Sequence, residues 1–463
     1  MPDPEHRLDA MRRSPSTRLS PVALILAAAL TTPTLKAQTA FMNVNVIPMD
    51  RERVLPDQTV VVEDGRIAAL GPAATTAVPA GATRIEARGK YLIPGLAEMH
   101  AHIPPAQQGQ DYVERVLLLY VANGVTTIRG MLGQASHLDL RRRVDAGEVL
   151  GPRIWTSGPS VNGNNIRTTA AADSAARATK AAGYDFIKIH PALTREVFDA
   201  LDRAADREGI RYAGHVPALV GVPRALEAGY WSIDHLDSYL DALVTPGGGP
   251  PEVGFFGMGL VHRVDEAGIP EIARATRAAA VWNVPTQILM ENLASEEDPE
   301  VMAQRPELRY MPPALLEGSI RQKRRLWEDH PSAEDWRRFV ETRRKLVKAL
   351  HDAGAGLLLG SDAPQWWNVP GFSALRELGA LVAAGLTPYE ALETGTRNVA
   401  TFFGTQDRAG TIEVGKQADL LLLDANPLED ISNVWRNAGV MIRGRWLSRA
   451  TLDQRLQQMA AGR

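Results

Sequence analysis

The chain has 463 residues, of which 45% are hydrophobic and 23% are charged, with a formal net charge of −3 and no cysteine. This composition is ordinary for a globular protein with a large core, and the lack of a basic surplus argues against a nucleic-acid partner. Because cysteine is absent, disulfides, thiolate nucleophiles and Cys-ligated zinc are excluded, and any metal must be bound by His, Asp, Glu or a modified Lys.

Residues 1–40 carry the three-part pattern of a secretory signal peptide. Arginines follow Met11, a short apolar run lies near residues 21–30, and small residues follow in "KAQTA". The run is too short to span a bilayer, and a chain without cysteine has no site for a lipid anchor. We therefore expect a secreted or periplasmic protein without stable membrane insertion, cleaved after Ala37 or Ala40. A disordered cytosolic tail is the alternative.

Short alternating segments at both ends of the remaining chain predict strands that fold together. Residues 41–92 contain "VNVIPM", "QTVVVEDGRIAALG" and "TRIEARGKYLI", and residues 408–450 contain "GTIEVGKQADLLLLDAN" and "VMIRGRWL". The "EDG" before "RIAAL" is typical of a hairpin turn. We expect the two ends to form one small β-sandwich domain, followed by a C-terminal tail over residues 451–463.

Residues 93–407 alternate strand-like and helix-like segments. Amphipathic stretches such as "YVERVLLLYVANG" and "TREVFDALDRAADREG" separate eight candidate strands, which are "GLAEMHAH", "VTTIRGML", "RIWTSGP", "YDFIKIHP", "IRYAGHVP", "WSIDHLD", "AVWNVPTQ" and "GLLLGSDAP". Eight strands separated by helices are what a (β/α)8 TIM barrel requires. We therefore predict an α/β fold built on a TIM barrel. An open doubly wound sheet is the competing architecture, since alternation alone does not prove closure.

Two connections in this region are longer than usual. "LVTPGGGPPEVGFFGMG" follows the sixth strand, where Phe255 and Phe256 are candidates for a lid, and a charged segment from Glu291 to about Trp336 follows the seventh. Long loops in compact domains often carry function.

Six side chains with metal-binding chemistry stand at the C-terminal ends of the predicted strands. They are His100, His102, Lys188, His215, His235 and Asp362. Alternate residues of a strand share a face, so the two histidines of "HAH" point the same way. The C-terminal ends of barrel strands form the face on which barrel enzymes build their sites.

The residue types predict two divalent metal ions. Neutral imidazoles and a carboxylate suit Zn2+, with Co2+, Mn2+ or Ni2+ as substitutes. His100, His102 and Asp362 are the expected ligands of one ion, and His215 and His235 those of the other.

Lys188 is the sixth candidate ligand, and it requires a chemical change. An ammonium beside two cations is electrostatically untenable, whereas a neutral amine can add CO2 and become a carbamate whose oxygens bridge the ions. A lysine in an ordinary salt bridge is the alternative. His190 lies on the same face of the predicted strand as Lys188, and it is expected to contact the metal ligands rather than to bind a metal itself.

These segments resemble the metal-dependent amidohydrolase superfamily, specifically its imidazolonepropionase-like and prolidase-like (Xaa-Pro dipeptidase-like) members. The matching pieces, spread from about Phe41 to Trp446, are "IPGLAEMHAH", "GVTTIRG", "YDFIKIH", "GHVP", "SIDHLD", "GSDAP", "GTRNVATFFG" and "GTIEVGKQADLLLLD". The resemblance implies a barrel plus a β-sandwich. Lys188 favours the two-metal, prolidase-like branch, because imidazolonepropionases use one metal and lack a bridging lysine.

The resemblance also implies a role for each ligand. His100 and His102 correspond to ligands of a buried ion, carbamylated Lys188 to the bridge, and His215 and His235 to ligands of a more exposed ion. Asp362 corresponds to a ligand of the buried ion that also transfers protons. Substrates in this branch include dipeptides and amide-linked small molecules such as ochratoxin.

The expected activity is hydrolysis of an amide bond in a dipeptide or N-acyl amino acid. A water that bridges two cations becomes hydroxide near neutral pH, and Asp362 would pass its proton to the leaving amine. The same site suits a lactone, ester, cyclic amide or phosphotriester, because the ions activate water and the loops select the substrate. A non-catalytic metal- or ligand-binding protein is a third hypothesis. The sequence does not settle whether the chain forms a homo-oligomer.

Five residues beside the strand ends are candidates for substrate binding, namely His137, Arg167, Tyr239, Trp366 and Trp367. His137 follows the second strand and is a candidate for a hydrogen bond to the scissile carbonyl or to a carboxylate, the alternative being a solvated residue at a helix start. The two tryptophans either line an apolar pocket or anchor the loop after the eighth strand.

Overall fold

The computed structural model describes residues 38–244 and 255–461. Most of the predicted signal peptide and of the Gly/Pro-rich loop after the sixth predicted strand therefore lies outside the described residues. Within the part that is described, no helix is both long and apolar enough to cross a bilayer.

Strands predominate at both ends of the described chain and alternate with helices between them. The strands are β1 (Gln38–Val46), β2 (Leu55–Glu63), β3 (Arg66–Pro72), β4 (Thr83–Glu86), β5 (Tyr91–Pro94), β6 (Leu96–Ala101), β7 (Val125–Gly130), β8 (Arg153–Thr156), β9 (Phe186–Ile189), β10 (Arg211–Gly214), β11 (Ser232–Asp234), β12 (Trp282–Val284), β13 (Leu420–Leu423), β14 (Asn437–Ile442) and β15 (Arg445–Ser448).

Most of the helices lie between β6 and β13, and one more follows β15. They are α1 (Gln110–Ala122), α2 (Ala135–Asp145), α3 (Thr169–Ala181), α4 (Arg195–Glu208), α5 (Gly221–Glu227), α6 (Tyr239–Ala242), α7 (Ile269–Ala278), α8 (Gln287–Ala294), α9 (Pro299–Met302), α10 (Pro313–Asp329), α11 (Ala333–Asp352), α12 (Phe372–Ala383), α13 (Pro388–Thr394), α14 (Arg397–Phe403) and α15 (Arg449–Ala461).

Helix α4 illustrates how local sequence sets the bounds of an element. The Thr194 hydroxyl accepts a hydrogen bond from the Val197 N–H at the first turn, which satisfies a backbone donor that the helix itself cannot pair. Gly209 follows the last turn with φ 60°, a left-handed conformation that glycine adopts without a steric penalty. Between these ends, Val197, Leu201 and Ala204 are buried at helical spacing, as the amphipathic pattern predicts.

Strands from both ends of the chain form one mixed eight-stranded sheet. Its order is β15-β14-β13-β5-β1-β2-β3, with β4 also paired to β1. Phe41, Leu92 and Leu420 from three of these strands share one fully buried apolar cluster. The two ends thus fold together. The β-sandwich stays a prediction, because hydrogen bonding assigns these strands to a single sheet.

The strands in the middle of the chain form two parallel sheets. One has the order β6-β7-β8 and the other the order β12-β11-β10-β9. Isolated parallel bridges connect their neighbouring edges, Ser157 to Phe186 and Val161 to Ile189. The fold is therefore α/β with parallel and mixed sheets. In the described residues, however, hydrogen-bonded strands do not run continuously around a closed barrel.

The eighth predicted strand, "GLLLGSDAP", is not a regular strand, so this part of the prediction is wrong. Its residues make only isolated parallel bridges, from Leu357 to Asn283 on β12 and from Ala363 to Ala101 on β6. A Cβ at Gly360 would lie 2.4 Å from Val284 Cγ1 and 2.9 Å from the backbone nitrogen of His100. Glycine lets the segment pass close between the two sheets, at the cost of regular pairing.

One further expectation about irregular chain is corrected. The long connection after β12 contains the helices α8, α9 and α10 rather than a loop. Its apolar residues lie at helical spacing among many charged ones, which makes the segment look solvated in sequence. Most of the residues of the C-terminal tail lie in the helix α15, whose Leu452 and Leu456 are buried.

Candidate metal centre

Four histidine rings form a continuous row beyond the C-terminal ends of the parallel strands. The ring centroid of His100 lies 5.4 Å from that of His102 and 4.4 Å from that of His235. The ring of His215 lies 4.6 Å from that of His235. The structure thus brings together the four histidines that the sequence predicts as metal ligands.

The strands place these histidines directly. His100 is the fifth residue of β6, and His102 comes just after that strand. His215 follows β10, and His235 follows β11 with a left-handed φ of 63°. Because the strands are parallel, residues at equivalent ends converge on one face.

Asp362 closes the row on one side. Its Oδ1 lies 2.6 Å from His102 Nε2 and 3.5 Å from His100 Nε2, and its Oδ2 lies 3.8 Å from His235 Nδ1. Ligand atoms from His100, His102 and Asp362 all lie within 4.8 Å of one another, a spacing that a single metal ion can span. The donor set of two imidazoles and a carboxylate suits Zn2+ or a similar divalent ion.

Neighbouring side chains hold one nitrogen of each of the other two histidines. His215 Nδ1 lies 2.5 Å from Asp237 Oδ2, and His235 Nδ1 lies 2.9 Å from Thr286 Oγ1. With Nδ1 engaged, Nε2 is the nitrogen left to bind a metal, and the ring orientation is fixed. This is the arrangement expected of imidazoles that serve as ligands.

Lys188 lies in β9 beside this row and is fully buried. Among the described residues its Nζ has no hydrogen-bond partner, and the nearest carboxylate oxygen of its ion pair, Asp234 Oδ2, is 4.0 Å away. A Cβ at Gly214 would lie 2.7 Å from Lys188 Cδ, so glycine makes room for this side chain. Burial lowers the pKa of the Lys188 amine. A buried, unpartnered and more readily neutral amine is the form that adds CO2.

A buried arginine, Arg129, connects the strands that position His100 and His235. Arg129 Nε donates to the Met99 carbonyl at 2.7 Å, Nη1 donates to Ser232 Oγ at 2.8 Å, and Nη2 donates to Asp234 Oδ1 at 3.1 Å. Asp234 Oδ2 also lies 2.9 Å from His100 Nδ1, although the angle is not that of a hydrogen bond. Arg129 therefore balances the charge of Asp234 and ties β6 to β11 beneath the histidines.

Glu98 ties the irregular eighth segment to β6. Its carboxylate accepts from the Ser361 N–H at 2.6 Å, from the Ser361 hydroxyl at 2.7 Å and from the His100 N–H at 3.2 Å. These bonds replace regular strand pairing and fix the residue that precedes Asp362.

Burial favours the neutral imidazole at three histidines of the row, His100, His215 and His235. It lowers the pKa of His100 and of His235 well below the ordinary value, and it lowers the pKa of His215 to about 3. His190, whose ring stacks 4.9 Å from that of His215, has a pKa lowered to about 2 for the same reason. Neutral imidazole is the form that binds metal, so the electrostatics of the site fit its donor set.

His137 is buried, contrary to the solvated alternative. Neither of its ring nitrogens makes a well-formed hydrogen bond, and its burial lowers the pKa to about 4. It lines a cavity of about 270 Å3 together with Pro104, which follows His102 closely in sequence, and with the start of α1. Both ring nitrogens are themselves buried, so the ring borders the cavity without presenting an accessible nitrogen to a ligand.

Arg167 and Tyr239 are not brought to the histidine row by any described contact. The Tyr239 hydroxyl hydrogen-bonds Thr276 and Asn283 inside the core, and Arg167 is exposed, with its Nε bonded to the Asn164 carbonyl. Both sets of contacts are those of structural residues, and nothing in the structure favours a substrate contact for either.

The aromatic candidates divide between the core and the site. Trp367 is buried in the main core with Lys323 Nζ 5.6 Å from its ring centre, which fits an anchor of the loop. Trp366 is half-buried against the same core. The ring of Phe256 lies 5.2 Å from that of His235, at the mouth of the row. The side chain of Phe255 lies outside the described residues.

Sequence reasoning missed several residues that support the ligands. Asp234 and Asp237 flank His235 in "SIDHLD", and Arg129 lies near the end of "TTIRG", so carboxylates and a lone arginine beside predicted strand ends were the available signal. Thr286 carried no such signal, because only the fold brings its hydroxyl to His235.

Comparisons with known proteins agree with this geometry. The amidohydrolase family matches residues 91–447. An imidazolonepropionase from Mycolicibacterium smegmatis is 45% identical over 76 residues, which cover 16% of this chain and 19% of that protein. The chain thus spans about a fifth of the length of this curated relative.

Solved structures are similar over nearly the whole chain. A putative prolidase from Bifidobacterium longum has 26% identity and a TM-score of 0.66, covering 91% of this chain and 99% of that one. A bottromycin amidohydrolase has 24% identity and a TM-score of 0.69, covering 92% and 90%. The second likeness shows the fold alone.

Proposed function

Because the chain belongs to the amidohydrolase family, in its prolidase-like branch, we propose that it is an exported two-metal hydrolase that cleaves an amide bond in a dipeptide or N-acyl amino acid. One observation carries the proposal: four histidine rings and Asp362 converge beside a buried lysine amine that has no hydrogen-bond partner among the described residues. Such a constellation fits metal-assisted hydrolysis better than any structural role.

The fold that supports this activity is proposed to be a (β/α)8 barrel. The two parallel sheets would be arcs of one ring, joined at β8–β9 and completed by the segment around Leu357–Ala363. Three parallel bridges support this closure, from Ser157 to Phe186, from Asn283 to Leu357 and from Ala101 to Ala363. A barrel would place the whole row of ligands at its C-terminal face.

The residues present fit two divalent ions, with Zn2+ favoured by the donor types. His100, His102 and Asp362 would hold one ion, His215 and His235 the other, and a carbamate on Lys188 would contribute to both. Bound ions would supply an activated water near neutral pH and would polarise the scissile carbonyl. The neighbouring side chains Asp237 and Thr286 would keep His215 and His235 oriented for this task.

Asp362 is proposed to move the proton. Its carboxylate is buried and lies among three of the histidines of the row, His100, His102 and His235. There it would accept a proton from the attacking water and deliver it to the leaving amine. His137 would bind the substrate's carbonyl or carboxylate if its buried ring turned toward the cavity that it lines, and Phe256 would border the substrate's apolar part.

The test of the function is metal content and turnover measured on one preparation. The full-length protein would be purified with added bicarbonate and Zn2+, assayed for metal per chain, and incubated with a mixed library of dipeptides and N-acyl amino acids. We expect two ions per chain and release of particular amino acids. Two ions per chain with cleavage of lactones or esters alone would mean that the substrate is not an amide. Tight metal binding with no turnover would indicate a binding protein.

Export is the second element of the proposal, and the pairing of β1 favours one of the two cleavage sites. Strand β1 begins at Gln38, and Gln38, Thr39 and Ala40 pair with β2. Cleavage after Ala37 would leave this pairing intact, whereas cleavage after Ala40 would remove three paired residues. N-terminal sequencing of protein from the periplasm or medium is expected to begin at Gln38. An intact N-terminus on active protein would refute export through this segment.

A further inference from the structure

Two buried charged side chains, far from the ligands in sequence, hold the turn that orients His235. The turn runs over residues 285–288, from the end of β12 into the first turn of α8. Its Thr286 has a left-handed φ of 47° and ψ of 44°, which is rare for a β-branched residue. Such a conformation persists only where surrounding contacts impose it.

Arg343, on α11, holds the first half of the turn. Its Nη2 donates to the Pro285 carbonyl and its Nη1 to the His235 carbonyl, each at 2.8 Å. The guanidinium is fully buried and also bonds Gln287 Oε1 at 3.3 Å. One rigid planar group therefore fixes the backbone of the histidine and the backbone just before Thr286 relative to each other.

Glu377, on α12, holds the second half. Its two carboxylate oxygens accept from the N–H groups of Gln287 and Ile288 at 2.9 and 2.6 Å. These are donors of the first turn of α8, which the helix itself leaves unpaired. Glu377 is fully buried, so no solvent substitutes for it.

From these contacts we infer that Arg343 and Glu377 are positioning residues, which act through the Thr286 hydroxyl to set the orientation of the His235 ring for the second metal ion. The inference rests on the proposed two-metal function. Thr286 is fully buried, and its Oγ1 is the partner of His235 Nδ1 at 2.9 Å. Partners of this kind fix which ring nitrogen faces a metal, and their loss typically lowers metal affinity about 10- to 100-fold.

The test measures Co2+ binding to the full-length chain by equilibrium dialysis and by visible absorption, without reference to substrate. The variants are Thr286→Val, which removes the hydroxyl, and Thr286→Ser, which keeps it. Thr342→Val is the matched control. Like Thr286, Thr342 is a buried threonine, but it lies on α11 and its hydroxyl bonds Glu266 instead of His235. Glu377→Gln leaves a single acceptor oxygen for two N–H groups and extends the test to the carboxylate.

We expect the unmodified chain, Thr286→Ser and Thr342→Val to bind two ions tightly. Thr286→Val should bind one ion with unchanged affinity and the other at least about 10-fold more weakly, with an altered absorption band. Glu377→Gln should shift the same ion in the same direction. Unchanged binding of both ions by Thr286→Val would overturn the inference and leave the proposed function standing. Fewer than two ions on the unmodified chain would remove the two-metal proposal, and this inference with it.

Discussion

Substitution of Asp362 by Asn is expected to leave the fold intact and to lower kcat by about 1000-fold, within the range that general acid–base residues contribute. A loss of that size corresponds to roughly 4 kcal/mol of transition-state stabilisation. Asn preserves the size of the side chain and one oxygen near His102 Nε2, which the carboxylate approaches to 2.6 Å. It cannot take up a proton, so it cannot pass one from the water to the leaving amine.

The measurement is kcat together with metal content and melting temperature for Asp362→Asn. Asp352→Asn is the matched control, because Asp352 is an exposed aspartate at the end of α11 whose partner is Lys348. The control should keep full turnover. A kcat near that of the unmodified chain in Asp362→Asn, at equal metal content, would rule out the proton-transfer role. Loss of bound metal together with turnover would assign Asp362 to ligation alone.

Lys188→Ala is expected to lose one of the two metal ions and to lower kcat by at least about 100-fold, the upper end of what the loss of a merely supporting residue causes. The amine is fully buried and unpartnered. In an ordinary salt bridge it would instead approach a carboxylate closely, whereas Asp234 Oδ2 remains 4.0 Å away. A carbamate on this amine would supply two oxygen donors for metal.

Rescue distinguishes the carbamate from the salt bridge. Short carboxylic acids such as acetate or propionate can occupy the space left in Lys188→Ala and offer the same two oxygens, so they should restore part of the metal binding and of the turnover. Dependence of the unmodified chain's metal content on bicarbonate is the accompanying control. If Lys188→Ala keeps two ions, Lys188 is a structural lysine. The same conclusion follows if carboxylates do not restore the activity of Lys188→Ala and bicarbonate does not change the metal content of the unmodified chain.

The placement of the candidate ligands could be predicted because each belongs to a short local signal. The "HAH" of β6, the histidines after β10 and β11, and Lys188 in β9 all follow from strand polarity, and parallel strands bring their ends to one face. The roles of these residues remain predictions. The sequence could predict where the ligand residues lie, because their location depends only on which segments form strands.

The residues that orient the ligands could not be read in this way. Arg343 and Glu377 lie on amphipathic helices, where a charged residue is most often solvated. Only the packing of α11 and α12 against the turn at 285–288 buries them. The irregular eighth segment escaped prediction for a related reason, because Gly360 and the Glu98–Ser361 bonds replace the ladder that an apolar run normally predicts.

The eight-stranded sheet has a consequence for how a newly made chain reaches its folded state. Strand β5 lies between β1 and β13, with Pro94 opposite Leu420, so its two neighbours come from opposite ends of the chain. Until the C-terminal strands emerge, β5 presents an open edge that invites pairing with other molecules. Contacts between such distant segments form slowly. The last strands to be synthesised therefore complete a sheet whose first strands are the first to be synthesised. A chain truncated before β13 would leave the edge of β5 unpaired even if all its helices had formed.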